Sequence, residues 1–208
     1  METNWAAENL QTIRTLMERS AVYRRALAPI MLLAGGLGVV VAVAGLLLHL
    51  NSPRQFGALW LGTALVAVAG ALLIARRQAI KDKETFWSPP TRRVALALVP
   101  PLLAGLCLGS FPMLSPLAHQ ELTFFSALVW IMFYGCALHA AGFFMPRGIR
   151  FFGWCFIAAA CGLFYGFLAG FIPDDRFSAH WLMGFFFGAL HLAYGGYLCL
   201  TEKKIPVA

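Results

Sequence analysis

Six runs of apolar residues, each about 20 residues or more and each bounded by polar or basic clusters, organise this chain. They extend roughly from Leu27 to Leu50, Phe56 to Ala75, Val94 to Leu114, Leu122 to Met145, Phe151 to Ile172 and Trp181 to Leu200, and none contains Asp, Glu, Lys or Arg in its interior. The runs are continuous rather than alternating, which favours helices over the dyad pattern of barrel strands. A helix of about 20 apolar residues crosses the hydrocarbon while satisfying its own backbone polar groups. The expected fold is therefore all-α: a polytopic membrane protein with six transmembrane helices. Residues 1–25 form a cytoplasmic N-terminal segment, 26–200 the transmembrane domain and 201–208 a cytoplasmic tail.

Composition agrees with that class. Apolar residues make up 60% of the 208 and charged residues only 12%, about half the share usual in soluble domains. Orientation follows from the basic residues, which are retained on the cytoplasmic side near helix ends. Arg14, Arg19, Arg24 and Arg25 precede the first span; Arg76, Arg77, Lys81, Lys83, Arg92 and Arg93 lie between the second and third; Arg147 and Arg150 separate the fourth and fifth; and Lys203 and Lys204 follow the sixth. Only Arg54 and Arg176 fall on the opposite side, so both termini are expected in the cytoplasm. This distribution also accounts for the net charge of +7 through anionic lipid headgroups, with no nucleic-acid partner expected.

Residues 10–25 carry Leu10, Ile13 and Met17 at helical spacing beside charged positions, the pattern of a helix lying on a membrane surface or a neighbouring subunit. The first apolar run is longer than a signal-peptide core, so it is expected to remain as an anchor. "RRQAIKDKETFWSPPTRR", residues 76–93, is the one loop long enough to dock a partner, with Pro89 and Pro90 breaking the chain before the third helix. All five cysteines, Cys107, Cys136, Cys155, Cys161 and Cys199, lie within spans and read as small packing residues.

Packing signals are stronger than chemical ones. Ala158, Gly162, Gly166 and Gly170 recur every four residues in the fifth span, and Gly184 and Gly188 share that interval in the sixth. Such ridges let another helix approach closely, from this chain or from a second copy. Pro100 and Pro101 in the third span remove two backbone donors, so a kink is expected there. Broken helices line substrate sites in transporters, but no matching break occurs in a second half.

Three histidines, His49, His119 and His180, fall at outer ends of spans, where an imidazole reaches water. His139 and His191 lie deeper, each in an "ALH" tripeptide and each sharing a helix face with glycines, so both should point into the bundle. One reading makes them cofactor-binding residues that hold a haem between two helices. Their depths disagree: His139 stands eight residues before Arg147 and His191 twelve before Lys203, an offset of about 6 Å at the helical rise. A proton or ion path is a second reading, for which buried carboxylates are missing. The simplest is that each imidazole hydrogen-bonds across a helix contact, with Tyr194 one turn from His191 as a companion.

Zinc, nucleophile-elbow and phosphate-loop signatures do not occur in the sequence. "TIRTLMERSAVY", residues 12–23, the glycine-rich "LAGGLGVV" of the first span and "FGALHLAYG", residues 187–195, together resemble a group of uncharacterised bacterial inner-membrane proteins. In that group a Thr-Met-Glu-Arg-Ser segment precedes the first span and a Gly-Leu-His motif sits in the last. The resemblance covers the two ends, and this chain departs from it at Leu16 and in the more basic "YRRALAP". It implies a bacterial inner-membrane location and brings no activity with it. The resulting expectation is a non-enzymatic structural or interaction protein, in contact with lipid and with a second copy or a partner chain, and with no cofactor or metal. A small-molecule transporter or channel component is the alternative, and a haem or quinone redox subunit the third.

Overall fold

A computed structural model describes residues 26–115, 122–171 and 178–201. Among these residues the regular structure is all helical. Helix α1 runs over Ala26–Leu47, α2 over Pro53–Lys81, α3 over Pro89–Gly109 with the one-turn α4 at Phe111–Leu114, α5 over Leu122–Ala141 and α6 over Arg147–Leu168. The last span consists of α7, Ala179–Met183, a π turn at Gly184–Ala189 and α8, Leu190–Thr201. Six helices are thus long and apolar enough to cross a membrane, and the chain is a multi-pass membrane protein. The N-terminal segment 1–25, His119, Arg176 and the tail from 202 onward lie outside the described residues.

The helices extend beyond their apolar runs. Helix α2 continues through Arg76, Arg77 and Gln78 to Lys81, because these side chains are good helix formers and the backbone has no reason to stop where hydropathy falls. Pro89 and Pro90 do not break the chain before α3; they begin it, the position where a missing N–H costs nothing. The loop expected over 76–93 therefore shrinks to residues 82–88. Helix α6 likewise starts directly after Pro146, which puts Arg147 and Arg150 inside its first turn rather than in a loop.

Helix α5 is the central helix, with half of its most apolar 18-residue window buried. Its Ala127, Ile131, Ala137 and Ala141 are fully enclosed. Glycines set how closely its neighbours come. A Cβ on Gly153 of α6 would lie 2.7 Å from both the Gly135 carbonyl and the His139 nitrogen of α5, and one on Gly135 would lie 2.9 Å from the Gly153 carbonyl. Backbone therefore meets backbone. In lipid, where the hydrophobic effect gives no preference between helix and solvent, this close approach is what holds helices together.

The last span packs antiparallel along α1 in the same manner. Gly195 faces Leu32, Gly188 faces Val39, Gly184 faces Ala42, and a Cβ on Gly35 would stand 2.7 Å from the Leu192 nitrogen. Gly184 and Gly188 thus both stand against α1. The ridge on α6 is different. Ala158 and Gly162 face outward, and a Cβ on Gly162 would meet nothing within 4 Å. Gly166 is half-buried. Gly170 serves helix termination instead of packing: its φ is 72°, and Phe171 N–H bonds the Gly166 carbonyl at 2.9 Å while Gly170 N–H bonds that of Phe167 at 3.0 Å. That is a Schellman cap, which needs the left-handed conformation glycine adopts without strain.

Helix α3 runs unbroken through Pro100 and Pro101, and Pro100 lies on the exposed face. Three of the cysteines, Cys107, Cys155 and Cys199, are exposed and face outward rather than filling the core.

Candidate functional site

His191 is a buried polar group of the last span, at 1% exposure. Its ring lies within 6 Å of the rings of Phe152, Phe156, Phe187 and Tyr134, measured between centroids. The hydrogen bonds fix its tautomer. Nδ1 is 2.8 Å from the Phe186 carbonyl, which can only accept, so Nδ1 carries the proton. Nε2 is then a bare acceptor for the Tyr134 hydroxyl at 2.7 Å. The ring thus ties α8 to α5 while bonding a carbonyl of its own π turn, in which Leu190 N–H donates five residues back to Phe185. π turns are rare and occur where a local demand holds them; here the turn precedes the buried ring. Tyr194, the expected companion, stacks instead on Phe152 at 4.8 Å.

His180 does not reach water as expected from its place at the end of a span. It is fully buried. Its Nε2 donates to the Leu50 carbonyl at 3.0 Å, and its Nδ1 accepts from Trp60 Nε1–H at 3.2 Å. Phe56 packs edge-on at 5.1 Å, and Gly45 of α1 leaves space for the ring. One imidazole therefore joins the α1–α2 connection, α2 and the last span. Hydropathy reads only the neighbours of His180 in sequence, whereas its partners stand 120 and 130 residues away. The one local signal is Ser178, whose hydroxyl accepts from His180 N–H and starts the helix there.

His139 occupies a third setting. It lies at the α5–α6 contact, its ring edge-on to Trp154 at 5.2 Å and to Phe143 at 5.4 Å. Its Nδ1 is buried and meets no hydrogen-bond partner among the described residues. With Phe143, Arg147, Arg150, Phe151 and Trp154 it lines a cavity of about 400 Å³. The Arg150 guanidinium stands over the Phe143 ring at 5.2 Å, a favourable cation–π placement. No carboxylate occurs in the first turn of α6.

A haem held by His139 and His191 does not fit this arrangement. Both nitrogens of His191 are engaged, and ligation would break its bond with Tyr134. The two histidines also face different sides of α6: His191 meets Phe152 and Phe156, whereas His139 meets Trp154, about 200° away at 100° per residue. Pro100 and Pro101, the other sequence-derived candidates, do not line the cavity beside His139. In comparisons with protein-family models, curated proteins and solved structures, nothing matches the chain.

Proposed function

We propose that this chain is a non-enzymatic structural or interaction protein of the bacterial inner membrane, with both termini in the cytoplasm. The observation that carries the reading is the state of the two fully buried imidazoles. His180 and His191 each have both ring nitrogens bonded to protein groups, which suits helix-joining residues and leaves no free nitrogen for ligation. The absence of acidic side chains from the spans supports the same reading, and the distribution of Lys and Arg supports the orientation. The bacterial location rests on the resemblance at the two ends of the sequence. A transporter role has less support, since Pro100 lies on the outer face.

The interaction surface with most support is the outer face of α6, where Ala158 and Gly162 offer close approach and none of the described helices takes it up. Crosslinking in native membranes, followed by affinity purification and mass spectrometry, tests this. The expected product is a dimer or a partner chain joined through α6 near Ala158, and its yield should fall when Gly162 is replaced by Ile. Recovery of the monomer alone, or crosslinks indifferent to Gly162→Ile, would remove the interaction reading.

A further inference from the structure

Arginines near helix ends are ordinarily retained by the membrane's inner surface and need no specific ligand. Arg147 and Arg150 differ in standing on a concave wall. They share a cavity of about 400 Å³ with His139, Phe143, Phe151 and Trp154, a size within the usual range for small-ligand sites. Neither arginine has an ion pair to a carboxylate among the described residues, and the first turn of α6 supplies none. His139 adds a donor. Its buried Nδ1 has no hydrogen-bond partner among the described residues, so the hydrogen-bonding capacity of the ring is unspent. Donors and positive charge thus gather where none of the described residues supplies a carboxylate.

The rest of the lining has the opposite character. Phe143, Phe151 and Trp154 are more than half exposed, at the end of the bundle where α5 gives way to α6. Exposed aromatics of this kind favour the membrane–water boundary. The combination suits a ligand with an anionic head and an apolar body, and guanidinium forks match phosphate oxygens in particular. We propose that the cavity between the end of α5 and the start of α6 binds a phosphate-bearing anion, with Arg147, Arg150 and His139 as donors and Phe143, Phe151 and Trp154 as its apolar wall. The proposal goes beyond the interaction reading and does not depend on it, since the outer face of α6 is probed at Ala158 and Gly162 and this cavity at the helix start.

The full chain in nanodiscs tests it, by native mass spectrometry of retained lipid in phosphatidylcholine with and without phosphatidylglycerol. Phosphatidylglycerol should be retained in preference. Arg147→Gln with Arg150→Gln should weaken that retention about tenfold more than Arg92→Gln with Arg93→Gln does, because the general attraction of basic residues to anionic lipid is lost equally in both while only the first pair also loses charge-assisted hydrogen bonds to the phosphate. Equal losses in the two double variants, or no preference for the anionic lipid, would overturn the site. The unmutated chain gives an independent reading: phosphatidylglycerol should protect Arg147 and Arg150, but not Arg92 and Arg93, from modification by phenylglyoxal, and unselective protection would count against the proposal. Inorganic phosphate separates the sources. If it displaces the lipid, a soluble phosphate ester is the fitting ligand; if the lipid resists it, the headgroup with its acyl chains is.

Discussion

Replacing Gly153 by alanine should lower the stability of the folded chain by about 3 kcal/mol, through overpacking at a backbone contact. A Cβ there would stand 2.7 Å from the Gly135 carbonyl and equally close to the His139 nitrogen. These are main-chain atoms in the middle of α5, so relief requires moving a helix rather than a rotamer. The same substitution at Gly162 provides the control, because open space surrounds it. There alanine should be neutral or stabilising by up to about 1 kcal/mol, through its better helix propensity. Unfolding of both variants in mixed micelles, followed by the loss of helical signal, measures the difference. Equal effects at Gly153 and Gly162 would mean that α5 and α6 do not approach as described.

That pair of glycines also shows what the sequence could reveal. Both sit in apolar runs, and the four-residue spacing of Gly162 with Ala158 and Gly166 made it look like the packing residue, while Gly153 belongs to no such series. Spacing identifies a smooth face but says nothing of whether a helix lies against it. The six spans, by contrast, were legible from uninterrupted hydrophobic length alone, because crossing the bilayer is a requirement on one segment at a time. Their ends were less so. Arg76, Gln78 and Lys81 continue α2 in spite of their polarity, and Pro89 and Pro146 mark helix starts more accurately than the fall in hydropathy does.

Removal of the His191 ring should have an effect of similar size. His191→Ala leaves the Tyr134 hydroxyl and the Phe186 carbonyl without their present partner and opens a hole among aromatic rings, for a combined cost of about 3 to 5 kcal/mol. Tyr134→Phe removes one hydroxyl and keeps the packing, so its cost should be about 1 kcal/mol. Once the ring is gone the hydroxyl has nothing to donate to, and Tyr134→Phe in the His191→Ala background should be nearly neutral. The coupling between the two substitutions therefore isolates the hydrogen bond. Strictly additive losses would show that Tyr134 and His191 contribute separately and that the bond does not join α5 to α8.

The histidines illustrate the limit of local reading most clearly. His139 and His191 share the tripeptide "ALH" and a glycine-bearing face, yet one lines a cavity with two arginines and the other is closed in by phenylalanines. His180, apparently at a wet helix end, is as buried as His191 because Trp60 and Leu50 fold over it. None of these environments is a property of the residues within one turn. The π turn at Gly184–Ala189 adds to the difficulty, since one wider turn rotates every later side chain away from the position that a uniform 100° step assigns to it.

The central claim is that His191 locks helices together instead of serving as a ligand or a proton carrier. Nitrogen-15 NMR of the histidine-labelled chain in bilayers, with the His191 signals assigned by their loss in His191→Gln, tests it most directly. The expected result is a single ring with a protonated Nδ1 and an unprotonated Nε2, the latter coupled to the Tyr134 hydroxyl and altered by Tyr134→Phe. A ring protonated at Nε2 alone, a doubly protonated ring, or a resonance indifferent to Tyr134 would contradict the bond geometry and with it the structural role assigned to His191.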